Sequence, residues 1–130
     1  RRWERFAAMS KMMPINLKAV RDAGVTIAMG TDAGNPLTLH GASVYAEMEA
    51  MQAAGMTPME VLVASTRAGA LAVRRLEEIG TVEKVKRADL LVVAADPTRD
   101  IKSLRQLRFV IKDGVVRAQA ELRAAAPTTR

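Results

Sequence analysis

Apolar positions along this chain recur at two different periods. In residues 1–13, Trp3, Phe6, Met9 and Met13 stand three or four apart, with Met12 beside them. That is the spacing of one helix face. Pro14 predicts an interruption, because it lacks an N–H and its ring crowds the preceding turn. A second helical piece is expected from about Ile15, with Leu17, Val20 and Ala23 inward. Asp22-Ala23-Gly24 reads as its C-terminal cap, Gly24 taking left-handed backbone. The period then shortens to two. Val25, Ile27 and Met29 alternate with small residues, which predicts a short buried strand over 25–29. Helical period returns over 43–54, where Val44, Met48 and Met51 face one way and Glu47 and Glu49 face solvent. Gly55 ends that segment. Thr57-Pro58-Met59-Glu60 then opens a helix with a capping residue, a preorganised proline and a capping-box glutamate. Met59, Leu62, Val63 and Leu71 give it an apolar stripe. Ala64, Ala68, Gly69 and Ala70 let another backbone come close. It should run to about Leu76.

Beyond Ile79 the pattern is that of strands. Gly80-Thr81-Val82 predicts a short one. Asp89-Leu90-Leu91-Val92-Val93-Ala94 is a continuous apolar run of strand length, expected to be buried on both faces. Asp96-Pro97 marks a turn, and residues 100–106 are read as irregular or a short helical turn. Residues 107–112 and 115–117 flank Asp113-Gly114, a strong short-range signal for a hairpin. From Ala118 the chain turns to Ala, Arg and Thr with Pro127, and a frayed tail is expected. Residues 1–78 thus read as α/β, 79–117 as β, and 118–130 as a disordered tail. No internal repeat is visible.

Composition narrows the function classes. The 130 residues are 49% hydrophobic, enough for a core. There is no cysteine, hence no disulfide framework and no thiolate metal site. No apolar run approaches the roughly 20 residues of a membrane span. The net charge is +6. Residues 1–78 hold 9 basic and 8 acidic side chains, and residues 79–130 hold 11 and 6. The excess is dispersed, and aromatics are only 3%, so stacking platforms for single strands are scarce. A solvated surface is the better reading than a nucleic-acid site. Residue 1 is Arg and not Met, so the chain is expected to be a processed product or a piece of something longer.

Candidate chemistry centres on Gly24-Val25-Thr26-Ile27-Ala28-Met29-Gly30-Thr31-Asp32-Ala33-Gly34. The predicted strand ends in a glycine turn that presents one carboxylate, Asp32. Catalytic groups in α/β barrels sit just past the C-terminal ends of strands. A turn aspartate can equally spend its carboxylate on nearby amides or cap the next helix. The loop that follows carries Asn35, Pro36 and the single histidine, His40, which could equally be a surface loop residue.

Several pieces come in a fixed order: Gly-Thr-Asp-Ala-Gly at 30–34, His40-Gly41, the helix with Glu47, and Ala-Gly-Met-Thr-Pro-Met-Glu at 54–60. Ala64-Ser65-Thr66-Arg67, Gly80-Thr81-Val82-Glu83, Lys86-Arg87-Ala88-Asp89-Leu90, Asp96-Pro97, Asp100-Ile101 and Val110-Ile111-Lys112-Asp113-Gly114 follow. Together they resemble the C-terminal part of metal-dependent amidohydrolases, in the imidazolonepropionase-like branch that includes prolidase-type dipeptidases. The match covers residues 15–117. It implies a fold class of α/β: the end of a (β/α)₈ TIM barrel over 1–78, then C-terminal strands of a small β-sandwich over 79–117. Residues 25–31 would be the eighth barrel strand and 43–76 the helices after it. By the same resemblance Asp32 would be a metal ligand and the catalytic proton acceptor for metal-bound water. His40 would lie on the substrate side. The cofactor would be a divalent metal, zinc first. The substrate would be a small amide or a dipeptide, with no nucleic acid or membrane partner.

One departure is decisive. The family's site also needs a His-x-His, a bridging carboxylate and two further histidines, and this chain has one histidine. Asp32 alone cannot hold a divalent ion that wants about four ligands. The 130 residues by themselves are therefore expected to be inactive. A smaller departure is Glu83-Lys84-Val85-Lys86, where the family usually has a Pro-Gly turn. The alternative reading is a non-enzymatic, truncated or decayed domain that binds a partner through exposed apolar faces. Compartment stays open, with the cytoplasm slightly favoured, as does oligomeric state.

Overall fold

The computed structural model describes residues 2–36 and 38–124, without the side chains of 2, 3, 5–7, 123 and 124. The face expected of Trp3 and Phe6 therefore lies outside the described residues. Helices are α1 (Arg2–Asp22), α2 (Ala42–Ala53), α3 (Pro58–Ser65), α4 (Arg67–Ala72) and α5 (Gln119–Ala124). Strands are β1 (Leu90–Val93), β2 (Leu107–Lys112) and β3 (Val115–Ala118), and Ile101–Arg105 is a 3₁₀ turn. The strands make one antiparallel sheet in the order β1-β2-β3. None of the described helices is long and apolar enough to cross a membrane.

The core sits where α2, α3 and the 3₁₀ turn meet. Met48, Met51 and Met56 close on Val61 and Ala64, with Ile101 and Leu104 from the other side. Val61 is wholly buried. Polar ties hold the same junction: the Gln52 side-chain oxygen accepts the Ile101 N–H at 3.0 Å. Glu49, expected in solvent, pairs with Arg105 at 2.5 Å, and Arg105 lies 5.1 Å from the Tyr45 ring centre. Asp100 caps the 3₁₀ turn by accepting the Lys102 N–H.

The predicted caps form. At the end of α1 the Val25 N–H reaches the Val20 carbonyl and the Gly24 N–H the Arg21 carbonyl, with Gly24 at φ 74. That is a Schellman arrangement, and Gly55 repeats it after α2, with Met56 N–H on Met51. Thr57 and Glu60 make a reciprocal capping box at α3. The Asp113-Gly114 hairpin also forms, with both residues at positive φ. Asp89 pins its turn, accepting from the Asp113 N–H at 2.9 Å and from Lys112 Nζ at 2.7 Å.

Other expectations need correction. Pro14 does not split the first helix, which runs through it. Residues 25–29 have the alternation of a strand but no ladder partner. The predicted helix over 57–76 breaks at Thr66, which has φ −127 and ψ −82, and ends at Ala72. Two causes meet there. The Ser65 and Thr66 hydroxyls bond back to the Val61 and Leu62 carbonyls, a habit that bends helices. Gly80 also crosses at the break: a Cβ there would lie 2.5 Å from Ala70 Cβ and 3.1 Å from the Thr66 oxygen. Residues 80–82 consequently pack as irregular backbone, not as a strand. β1 is not buried on both faces, since Leu91 and Val92 stay exposed on the single-layered sheet. Residues 119–124 of the expected tail are helical, and 125–130 lie outside the described residues.

Val85, fully exposed, holds φ 64 in the turn before Lys86. A β-branched residue is strained there, and it has no packing to lose. Val85→Gly should raise stability by about 1 kcal/mol in urea denaturation, net of the added freedom of the unfolded chain. The Thr57 backbone and hydroxyl donors hold the Glu60 carboxyl below the ordinary glutamate value. Its contribution is therefore full above about pH 4.5 and lost as pH falls through the lower folded value. Glu60→Gln should flatten the acid limb of a stability–pH curve, and Thr57→Ala should cost about 1 kcal/mol at neutral pH.

Candidate active-site loop

Residues 25–30 position the loop. Ile27 and Met29 turn toward the core, while Thr26, Ala28 and Gly30 stay exposed. The Met29 N–H donates to the Ala64 carbonyl of α3 at 3.0 Å. The period-two pattern survives as partial burial of Ile27 and Met29, anchored to a helix, while Val25, expected inward, is exposed. Asp32 follows two residues after Gly30, exposed and at φ 48. Aspartate tolerates left-handed backbone better than most residues.

The turn is closed by backbone and by Asn35. The Asp32 carbonyl accepts the Asn35 N–H at 3.3 Å and the Asn35 side-chain amide at 3.0 Å. Thr38 N–H reaches the Asn35 carbonyl at 3.0 Å, and Gly34 N–H reaches the Thr38 carbonyl at 3.0 Å. The Asp32 carboxylate makes no hydrogen bond or ion pair with any described residue. It neither caps α2 nor ties its own turn. The N-terminal amides of α2 bond instead to loop carbonyls, Ser43 to Leu39, Ala42 to His40 and Val44 to Gly41.

His40 comes back to the same turn. Its Nε2 lies 3.5 Å from where a Cβ on Gly34 would stand, so the imidazole lies against the Gly34 backbone. Gly34 itself holds φ 105. The two residues singled out from the sequence therefore share one small loop, and both are exposed. The sequence pattern places Asn35 in this loop without giving it a role. Its signal was available, since asparagine side chains commonly close turns on nearby backbone.

No group of three or more His, Asp or Glu among the described residues could hold a metal ion. Asp32 supplies one hard carboxylate ligand, and no described residue beside it completes a site. Away from the loop, a cleft of about 350 Å³ opens between residues 25–27 and α3, lined by Val25, Ile27, Met59 and Val63 with Arg21 and Arg67. Neither Asp32 nor His40 lines it.

The fold and the loop define a class: an α/β segment with a carboxylate just past an extended, core-docked segment. The model of the Amidohydrolase family matches residues 9–118, and the chain belongs to that family. It is 41% identical over 75 residues to an imidazolonepropionase of Cutibacterium acnes, covering 57% of this chain and 18% of that protein. It is 31% identical over 112 residues to an ochratoxinase of Aspergillus niger, covering 82% of this chain and 22% of that one. Among solved structures it superposes on a Xaa-Pro dipeptidase with a TM-score of 0.77 at 32% identity, over 86% of this chain and 27% of that chain. The chain spans about a fifth of the length of the curated relatives it matches.

Gly34→Ala tests the loop geometry. A side chain at φ 105 is strained, so stability should fall by about 1 kcal/mol. The His40 ring signals should shift in an NMR spectrum as the contact with Gly34 changes.

Proposed function

We propose that this chain supplies part of a metal-dependent hydrolase that cleaves a C–N bond in a small amide or a dipeptide. Asp32 is its metal ligand and proton acceptor. The observation that carries the reading is the free Asp32 carboxylate, exposed beyond an anchored segment and unused by its own turn. A divalent ion, zinc first, would supply a lowered pKa for the attacking water. Asp32 accepts a proton and passes it to the leaving amine, the ordinary work of a carboxylate in such a step. His40, held against Gly34, lies on the substrate side of the loop. The remaining ligands come from outside residues 1–130, so these residues alone do not hydrolyse substrate. The names of the similar proteins support a C–N hydrolase, and the substrate class rests on them.

In this reading residues 1–78 complete a (β/α)₈ barrel and 79–117 pack as part of a β-sandwich. The lack of a ladder partner for 25–29 among the described residues and the exposed sheet residues Leu91, Phe109 and Val116 support that arrangement. A second reading is a non-enzymatic piece that binds a partner through its apolar faces. It is favoured by exposed Met9, Met12, Met13 and Ile15 on α1.

Asp32→Asn in the full-length chain separates the two. The hydrolase reading expects kcat to fall by about 10²–10⁴-fold, the range of a lost acid–base group, with circular dichroism unchanged. Activity within a few-fold of the unsubstituted chain, or a full-length chain with no hydrolysis of dipeptides or cyclic amides, would leave the partner-binding reading.

A further inference from the structure

We infer that Asn35 is a positioning residue for Asp32. Its side-chain amide donates to the Asp32 carbonyl and so holds the backbone from which the Asp32 carboxylate projects. The inference rests on the reading of Asp32 as the functional carboxylate.

Three features of the loop carry it. Asp32 is a non-glycine residue at φ 48, a backbone state that has to be held from outside. Its carbonyl accepts two hydrogen bonds, and both come from Asn35: the backbone N–H at 3.3 Å and the side-chain amide at 3.0 Å. Two donors on one oxygen fix the plane of the peptide after Asp32, and with it the direction of the Asp32 Cα–Cβ bond. Asn35 is in turn held by the Thr38 N–H on its own carbonyl at 3.0 Å, so the clamp is anchored on both sides.

The division of labour is chemical. An aspartate in a turn ordinarily spends its carboxylate on nearby amides. Here the turn is closed by Asn35 donors on the Asp32 carbonyl, and the Asp32 carboxylate makes no bond to a described residue. Only a donor serves, because the partner is a carbonyl oxygen. An ionised aspartate at position 35 has the same shape and no donor.

The test uses Asn35→Ala and the near-isosteric Asn35→Asp in the full-length chain, with steady-state kinetics. Both variants should lose kcat by about tenfold or more, since small misplacements of a reacting group are that costly. KM should stay within about twofold, because the substrate contacts are untouched. In parallel, the three-bond coupling between the Asp32 amide and α protons is read by NMR on this chain. It should move away from its left-handed value in both variants. Unchanged kcat and unchanged coupling in both variants would overturn the proposal. So would a fall in kcat no larger than the fall in folded fraction, with the coupling unmoved. If Asp32→Asn proves fully active, the catalytic reading fails by itself, and the coupling still decides whether Asn35 holds the turn.

Discussion

Burial of Val61 against the methionines of α2 and the Ile101–Leu104 pair is the contact on which the rest of this structure depends. The consecutive helices α2 and α3 meet the sequence-distant 3₁₀ turn at that point. α2 brings Met48 and Met51, the connection after it brings Met56, α3 brings Val61, and the 3₁₀ turn closes the far side. Methionine suits such a junction because its unbranched chain fills irregular space. The ion pair of Glu49 with Arg105 and the bond from Ile101 to Gln52 then fix the angle at which the 3₁₀ turn docks. The sheet follows from this, since Val93 packs on the same core and β2 begins directly after the turn.

The candidate loop is tied to the same core by a short route. Met29 donates to Ala64, and Ala64 belongs to the buried cluster one helical turn from Val61. Asp32 stands only three residues further on. A carboxylate so placed inherits the rigidity of the core without being buried in it. The loop beyond supplies the rest: Asn35 closes the turn, His40 rests on Gly34, and loop carbonyls satisfy the first amides of α2. The helix start thus needs no side-chain cap, which is why Asp32 is not drawn into that role.

Exposed apolar surface is distributed in a way that agrees with membership of a larger family fold. It lies on α1, along the cleft beside residues 25–27, and on the sheet around Leu91, Phe109 and Val116. It is absent from the α2–α3 junction, where the chain meets itself.

Local chemistry was legible from the residues alone wherever a signal acts within a few positions. The glycine caps at Gly24 and Gly55, the Thr57–Glu60 box, the 3₁₀ turn and the Asp113-Gly114 hairpin all depend on neighbours in sequence. Asp32 and His40 could be singled out, and the family with them, because order and spacing of short motifs survive in a linear text. What tertiary structure alone decided involves partners far along the chain. A period-two pattern at 25–29 names a burial face, but a strand also needs a ladder, and none of the described residues provides one. An apolar stripe predicted one helix over 57–76, but Gly80 pressing on Thr66 and Ala70 divides it. The freedom of the Asp32 carboxylate belongs to the same class. It depends on whether a donor comes within reach of the carboxylate, and only the folded loop shows that no described residue bonds it while Asn35 bonds the Asp32 carbonyl.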